Sequence, residues 1–124
     1  MAYWFGGQRN ETWLLEENGR VVGSYYLRAN HFELGGHIAN AGYMVSSHTR
    51  NKGVGRLLGE HSINRARECG FRGIQFNFVV ATNTVAVKLW QSLGFSIIGT
   101  IPGGFHYRHQ RYDDAYIMFK DLRI

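Results

Sequence analysis

Apolar and polar positions between Glu11 and Arg28 fall into two short runs, ETWLLEE and RVVGSYYLR, joined by Asn18-Gly19. Asparagine and glycine both tolerate the positive φ that a type I′ turn demands at its two central positions, so the pattern predicts an antiparallel hairpin. HIANAGYMV reads as a third strand, and Gly42 inside it marks a bulge or a close backbone approach. From Gly53 the period lengthens. Val54, Leu57, Leu58, Ser62, Ala66 and Cys69 approximate one helical face, which Gly70 is placed to end. GIQFNFVV alternates Ile74, Phe76, Phe78 and Val80 against Gln75 and Asn77, a strand pattern. Ala86, Leu89, Trp90 and Leu93 stand at i, i+3, i+4 and i+7 and predict a second helix, ended by Gly94. FSIIGTI and DAYIMFKDL predict two closing strands. The order is β-β-β-α-β-α-β-β, an α/β chain built on a mixed, α+β sheet. Its central strand–helix–strand crossing implies one parallel pair among antiparallel ones. With no linker, repeat or low-complexity stretch, residues 1–124 read as a single domain.

Composition narrows the classes. The chain is 44% hydrophobic and 15% aromatic, enough for a core and too apolar for disorder. No run approaches the roughly 20 apolar residues of a membrane span. MAYWFGGQRN lacks the basic-then-apolar order of a secretory signal. Cys69 is the sole cysteine, so no internal disulfide can form. These features lead to the expectation of a cytoplasmic protein. The net charge of +5 suits an anionic small molecule, an acidic partner or nucleic acid. The basic residues do not interleave with aromatics as in a single-strand groove, which ranks the small anion above nucleic acid. The six histidines show no metal-ligand spacing, so no metal is expected.

The segment Arg50-Asn51-Lys52-Gly53-Val54-Gly55-Arg56 follows a strand and opens a helix. The first N–H groups of a helix lack intrahelical acceptors, and the helix dipole favours negative charge there. Glycines let a phosphate approach the backbone, and Arg50, Lys52 and Arg56 supply charge. The segment lacks the Gly-Lys-Ser/Thr ending of a P-loop, and Leu58 stands where a Gly-x-Gly-x-x-Gly motif needs its third glycine. A plain glycine turn with solvated cations is the alternative reading of this segment alone.

One strand downstream lies Asn83-x-x-Ala86-x-x-Leu89-Trp90-x-x-x-Gly94-Phe95. Together with Val45-x-x-x-x-Arg50-x-x-Gly53-x-Gly55, it resembles the GNAT superfamily of acyl-CoA-dependent N-acyltransferases over about residues 12 to 122. The resemblance implies acetyl-CoA as co-substrate. It also implies that Asn51, Lys52, Gly53, Val54, Gly55 and Arg56 hold the pyrophosphate, with Arg50 beside them. Tyr43, Met44 and Val45 would meet the acyl-pantetheine arm, mainly through backbone. Asn83 would reach the pantetheine or the tetrahedral intermediate, and an N–H of the strand would polarise the thioester carbonyl. Asn40 or Asn83 could orient a water or stabilise an oxyanion. The family often has tyrosine where this chain has Trp90. An indole N–H can donate to the leaving thiolate but cannot protonate it; alternatively Trp90 simply packs in the Ala86–Leu93 stripe.

The family normally begins with a strand and two helices ahead of the hairpin, and only Met1 to Asn10 stand there in this sequence. A homodimer is therefore expected, with Tyr3, Trp4, Phe5, Trp13, Leu15 and Tyr25 as interface candidates. No general base stands out: Glu11, Glu33, His37, His106, His109 and Asp113 each read as a polar residue at the surface rather than a base, and Cys69 suits packing. The expected activity is acetyl transfer from acetyl-CoA to the primary amine of a small molecule, by direct attack in a ternary complex. The rivals are an acyl-CoA-binding regulator without turnover and a basic nucleic-acid module.

Overall fold

The hairpin forms as its turn residues require. In the computed structural model, which describes residues 2–5, 11–30, 36–46, 53–107 and 111–123, Asn18 has φ 52° and Gly19 φ 77°. This turn joins β2 (Glu11–Glu17) to β3 (Arg20–Ala29), antiparallel. Ahead of them β1 (Ala2–Phe5) adds a strand to the expected order, antiparallel to β2. β4 (Ile38–Val45) follows, then α1 (Val54–Glu68), β5 (Gly73–Val80), α2 (Thr84–Ser92), β6 (Ser96–Tyr107) and β7 (Arg111–Asp121). The strands form one sheet in the order β1-β2-β3-β4-β5-β7-β6. Among the described strands only β4 and β5 pair in parallel, as the central crossing requires.

Both helices lie on one face of the sheet and meet over the same aromatic residues. Tyr43 on β4 and Phe76 on β5 contact Trp90 of α2 with ring centroids 4.6 Å and 4.9 Å apart. The Tyr43 hydroxyl meets Ser62 Oγ of α1 at 2.7 Å. Leu15, Tyr25, Leu27, Leu58, Ile74 and Met118 are almost fully buried in this core. The helix stops are as expected, with Gly70 at φ 85° and Gly94 at φ 97°.

Three details depart from the sequence pattern. Leu57 is exposed and Cys69 lies at the surface, whereas Gly59 and Ile63 complete the buried face of α1. The face is rotated because α1 must meet α2 as well as the sheet. On β5 the alternation breaks: Phe78 is exposed and Val79 buried. The register against β7 shifts between Phe76 and Val79, and this bulge reverses the side on which later residues point. β6 and β7 also extend past the predicted FSIIGTI and DAYIMFKDL, β6 on to Tyr107 and β7 back to Arg111. Their register shifts between Ile101 and Phe105, then resumes with Phe105 opposite Asp113 and His106 opposite Tyr112. Asp114 holds the shift by accepting the Gly103 N–H at 3.0 Å.

Candidate functional site

The parallel pair is short. β4 and β5 register at Ile38↔Gly73, Ala39↔Ile74 and Asn40↔Gln75, and there the pairing ends. β4 runs on to Val45, still paired with β3, while β5 runs on to Val80, paired with β7. The two strands thus part into a fork that opens toward their C-terminal ends.

Backbone alternation says which groups face the fork. Asn30 N–H donates to Ile38 O, and Ser46 N–H donates to Val22 O. Ile38, Asn40, Gly42, Met44 and Ser46 therefore turn their backbone groups to β3. Tyr43 and Val45 turn theirs toward β5, which no longer pairs with them. Of the three residues implied to meet the pantetheine arm, Tyr43 and Val45 fit by backbone. Met44 does not: its N–H and C=O serve the β3 ladder, and its side chain, 74% exposed, points to the face away from α1 and α2.

Both helices begin at the open end of this fork. Gly53 caps α1 in the left-handed region, φ 77° and ψ 10°, with no side-chain cap and no acidic residue in the first turn. Leu57 N–H returns to Gly53 O at 3.1 Å, which leaves the N–H groups of Val54, Gly55 and Arg56 without an intrahelical acceptor. Among the described residues, a Cβ on Gly53 would meet nothing within 4 Å, which leaves room on that side for an approaching group. Val54 itself is buried beneath the turn. Arg50, Asn51 and Lys52 lie outside the described residues.

Two members of the expected phosphate segment have other work. A Cβ on Gly55 would stand 3.1 Å from Leu89 of α2, so this glycine allows the helices to approach. Arg56 reaches across to α2, where its Nη2 donates to Ser92 Oγ at 2.7 Å. Its guanidinium is tied to the far helix rather than standing over the N-terminus of α1. Gly59, missed in the sequence, continues the seam: a Cβ there would lie 2.6 Å from Leu93 Cδ1 and 2.9 Å from Trp90 Cζ3. The one-turn spacing of Gly55 and Gly59 was the available signal.

Asn83 caps α2, its Oδ1 accepting the Ala86 N–H at 3.2 Å. The side chain is exposed beside the end of β5, so its amide nitrogen can still reach a ligand. Trp90 is interior, between Tyr43, Phe76, Phe95 and Gly59. These surroundings are those of a packing residue. Asn40 is buried at the root of the fork. Its Oδ1 accepts the Tyr26 hydroxyl at 3.1 Å and its Nδ2 donates to Gln75 O at 3.1 Å, so both ends of the amide serve the fold.

None of the described carboxylates named from sequence stands at the fork as a free base. Glu11 is buried far along the sheet and receives Arg65 Nε and Nη2 at 2.7 Å each. That guanidinium holds its carboxyl below the ordinary range, against the opposing effect of burial. Asp113 accepts from Thr82 and pairs with Arg111, and His106 stacks on Tyr112 at 4.2 Å. Cys69 donates its thiol proton to Glu11; burial of the sulfur and that bond push the thiol above its usual pKa. Glu33 and His109 lie outside the described residues. No group of three or more metal-ligating side chains occurs among the described residues, and no helix among them is long and apolar enough to cross a membrane.

The profile of the Acetyltransferase (GNAT) family matches residues 1–95, from β1 through the fork and both helices. The chain belongs to the GNAT family. Its GNAT sheet and helices superpose on a GCN5-related N-acetyltransferase from Kribbella flavida with a TM-score of 0.85 and 46% identity, over 90% of this chain and 67% of that one. The structure of yncA from Salmonella typhimurium with its cofactor acetyl-CoA matches with a TM-score of 0.81 and 26% identity, over 90% of this chain and 64% of that one. Among characterised sequences, N-acetyltransferase aca1 of Schizosaccharomyces pombe is 37% identical over 98 residues. Those residues are 78% of this chain and 47% of the relative, so the chain spans about half that protein's length.

Proposed function

We propose that this chain transfers the acetyl group of acetyl-CoA to a primary amine of a small molecule. The observation that carries the reading is the fork between β4 and β5, with the starts of α1 and α2 at its open end. An elongated ligand with phosphates at one end and amides along its arm suits that arrangement. The open N–H groups of Val54, Gly55 and Arg56 suit the pyrophosphate, and the backbone of Tyr43 and Val45 suits the pantetheine amides. In the reaction, the amine lone pair attacks the thioester carbonyl carbon. The C–N bond forms, the C–S bond breaks, coenzyme A leaves as the thiolate, and the amine nitrogen gives its proton to water. An N–H of β4 facing the fork would stabilise the oxyanion, and Asn83 would touch the arm.

A second reading is an acyl-CoA-binding protein without turnover. Two observations favour it: Trp90 offers no acid, and no described carboxylate named from sequence stands free at the fork. Thermal melts with millimolar acetyl-CoA test binding, and acetyl-CoA consumption against a panel of amines tests turnover. An upward shift with turnover is expected. A shift without turnover supports the second reading, and no shift sinks both.

A further inference from the structure

A parallel pair that has formed three steps gains by continuing, since each further step pairs backbone groups otherwise left open. Chain length does not stop this pair, because β4 and β5 both run on as strands beyond Asn40 and Gln75. A side chain occupies the crotch. Asn40 Nδ2 donates to Gln75 O, across the last registered step, from a residue only 4% exposed. Tyr26 of β3 holds Asn40 in turn, donating its hydroxyl to Oδ1. The hydroxyl end of the Tyr26 ring lies against Gly42, so close that a Cβ there would collide with Cε2, Cζ and the hydroxyl oxygen. Above it sits the Arg28 guanidinium, 4.8 Å from the ring centroid. Gly42 therefore makes the close approach that lets the tyrosine reach the asparagine.

We propose that Tyr26 and Asn40 form a latch that fixes where β4 and β5 part and so sets the width of the fork. This rests on the acetyl-CoA reading above and makes both of them positioning residues. The amide end of Asn40 takes a fixed place on β5, and the tyrosine prevents the amide from rotating away. The strands beyond are then held at one separation, and the backbone of Tyr43 and Val45 meets the pantetheine arm without prior rearrangement.

The test separates the arm from the phosphates. Asn40→Leu keeps the volume and removes both bonds. Tyr26→Phe keeps the ring on Gly42 and removes one bond, so it folds even if the first variant does not. Binding of acetyl-CoA and of adenosine 3′,5′-bisphosphate, which has phosphates but no pantetheine arm, is measured by calorimetry. Acetyl-CoA is expected to bind about fivefold more weakly to Tyr26→Phe and at least about tenfold more weakly to Asn40→Leu. The bisphosphate affinity stays unchanged. Wild-type affinity for acetyl-CoA in both variants overturns the latch while leaving the acetyl-CoA reading intact. Equal weakening of both ligands also overturns it, because general damage to the fold then explains the loss. A wild-type protein that binds neither ligand overturns the acetyl-CoA reading itself, and the latch with it.

Discussion

Trp90 stands where the family resemblance leads one to expect a tyrosine, and its ring is walled in by Tyr43, Phe76, Phe95 and Gly59. Trp90→Tyr removes part of that packing and should lower the unfolding free energy by about 1–3 kcal/mol. Turnover per folded molecule should stay within a few fold; denaturant unfolding and steady-state rates, measured together, check this. A folded variant a hundredfold slower would show that the indole positions the substrate. Gly53 presents the converse case. A Cβ there meets nothing among the described residues, so Gly53→Ala is expected to cost the left-handed backbone, about 1 kcal/mol. Its Cβ then stands where a phosphate would approach, and acetyl-CoA affinity should fall more than stability does. Calorimetry beside thermal melts decides, and undiminished affinity would contradict the helix-start reading. Of these two residues, the sequence marked Gly53 as part of a glycine turn opening a helix, and it caps α1. The surroundings of Trp90 became legible only once β4, β5 and both helices converged on it.

Elements meet here through small residues and single ties. Gly55 and Gly59 let α1 and α2 approach at Leu89, Trp90 and Leu93. Alanine is the better helix former by about 1 kcal/mol, but Gly59→Ala should still destabilise by about 1–3 kcal/mol through overpacking. Greater stability in that variant would refute the seam. β2 is tied to α1 by Glu11 and Arg65, and β3 is tied to α1 by Tyr25 and His61, 2.7 Å from hydroxyl to Nδ1. Burial lowers the His61 pKa, with Glu68, Arg65 and Glu11 acting on it in opposing directions. As pH falls below about 6.5 the unfolded chain therefore takes up this proton first, and stability declines. Glu11, held down by Arg65, contributes stability above about 4.5 that is lost as pH falls through its lower folded value. The melting temperature should thus fall in two stages on acidification. His61→Gln should remove the first stage and Glu11→Gln the second.

At the scale of the molecule, the described helices cover one face of the sheet. The other face carries Tyr26, 37% exposed, and Met44 beside the fork. We propose that a second copy of the chain covers exposed apolar surface of this kind as a homodimer. Leu15 and Tyr25 cannot serve that interface, since each is 1% exposed within the chain's own core, and Trp13 packs edge-on against His61. Light scattering at micromolar concentration is expected to give twice 14.2 kDa; a monodisperse monomer ends the idea.

Local rules wrote much of the fold into the sequence. Asn18-Gly19 demanded a hairpin, Gly70 and Gly94 ended helices, and one crossing between strands of like direction required a parallel pair. Such features depend on a few neighbouring residues, or on chain order, so periodicity and turn chemistry express them. Three facts depended on partners far along the chain. The bulge that turns Phe78 outward arises in the register with β7. Arg56 is drawn to Ser92 of another helix. Asn40 looked like a catalytic amide in the sequence. Its hydrogen bonds to Tyr26 on one neighbouring strand and Gln75 on the other exist only because the sheet brings three strands together, and that three-strand contact decided where the fork begins.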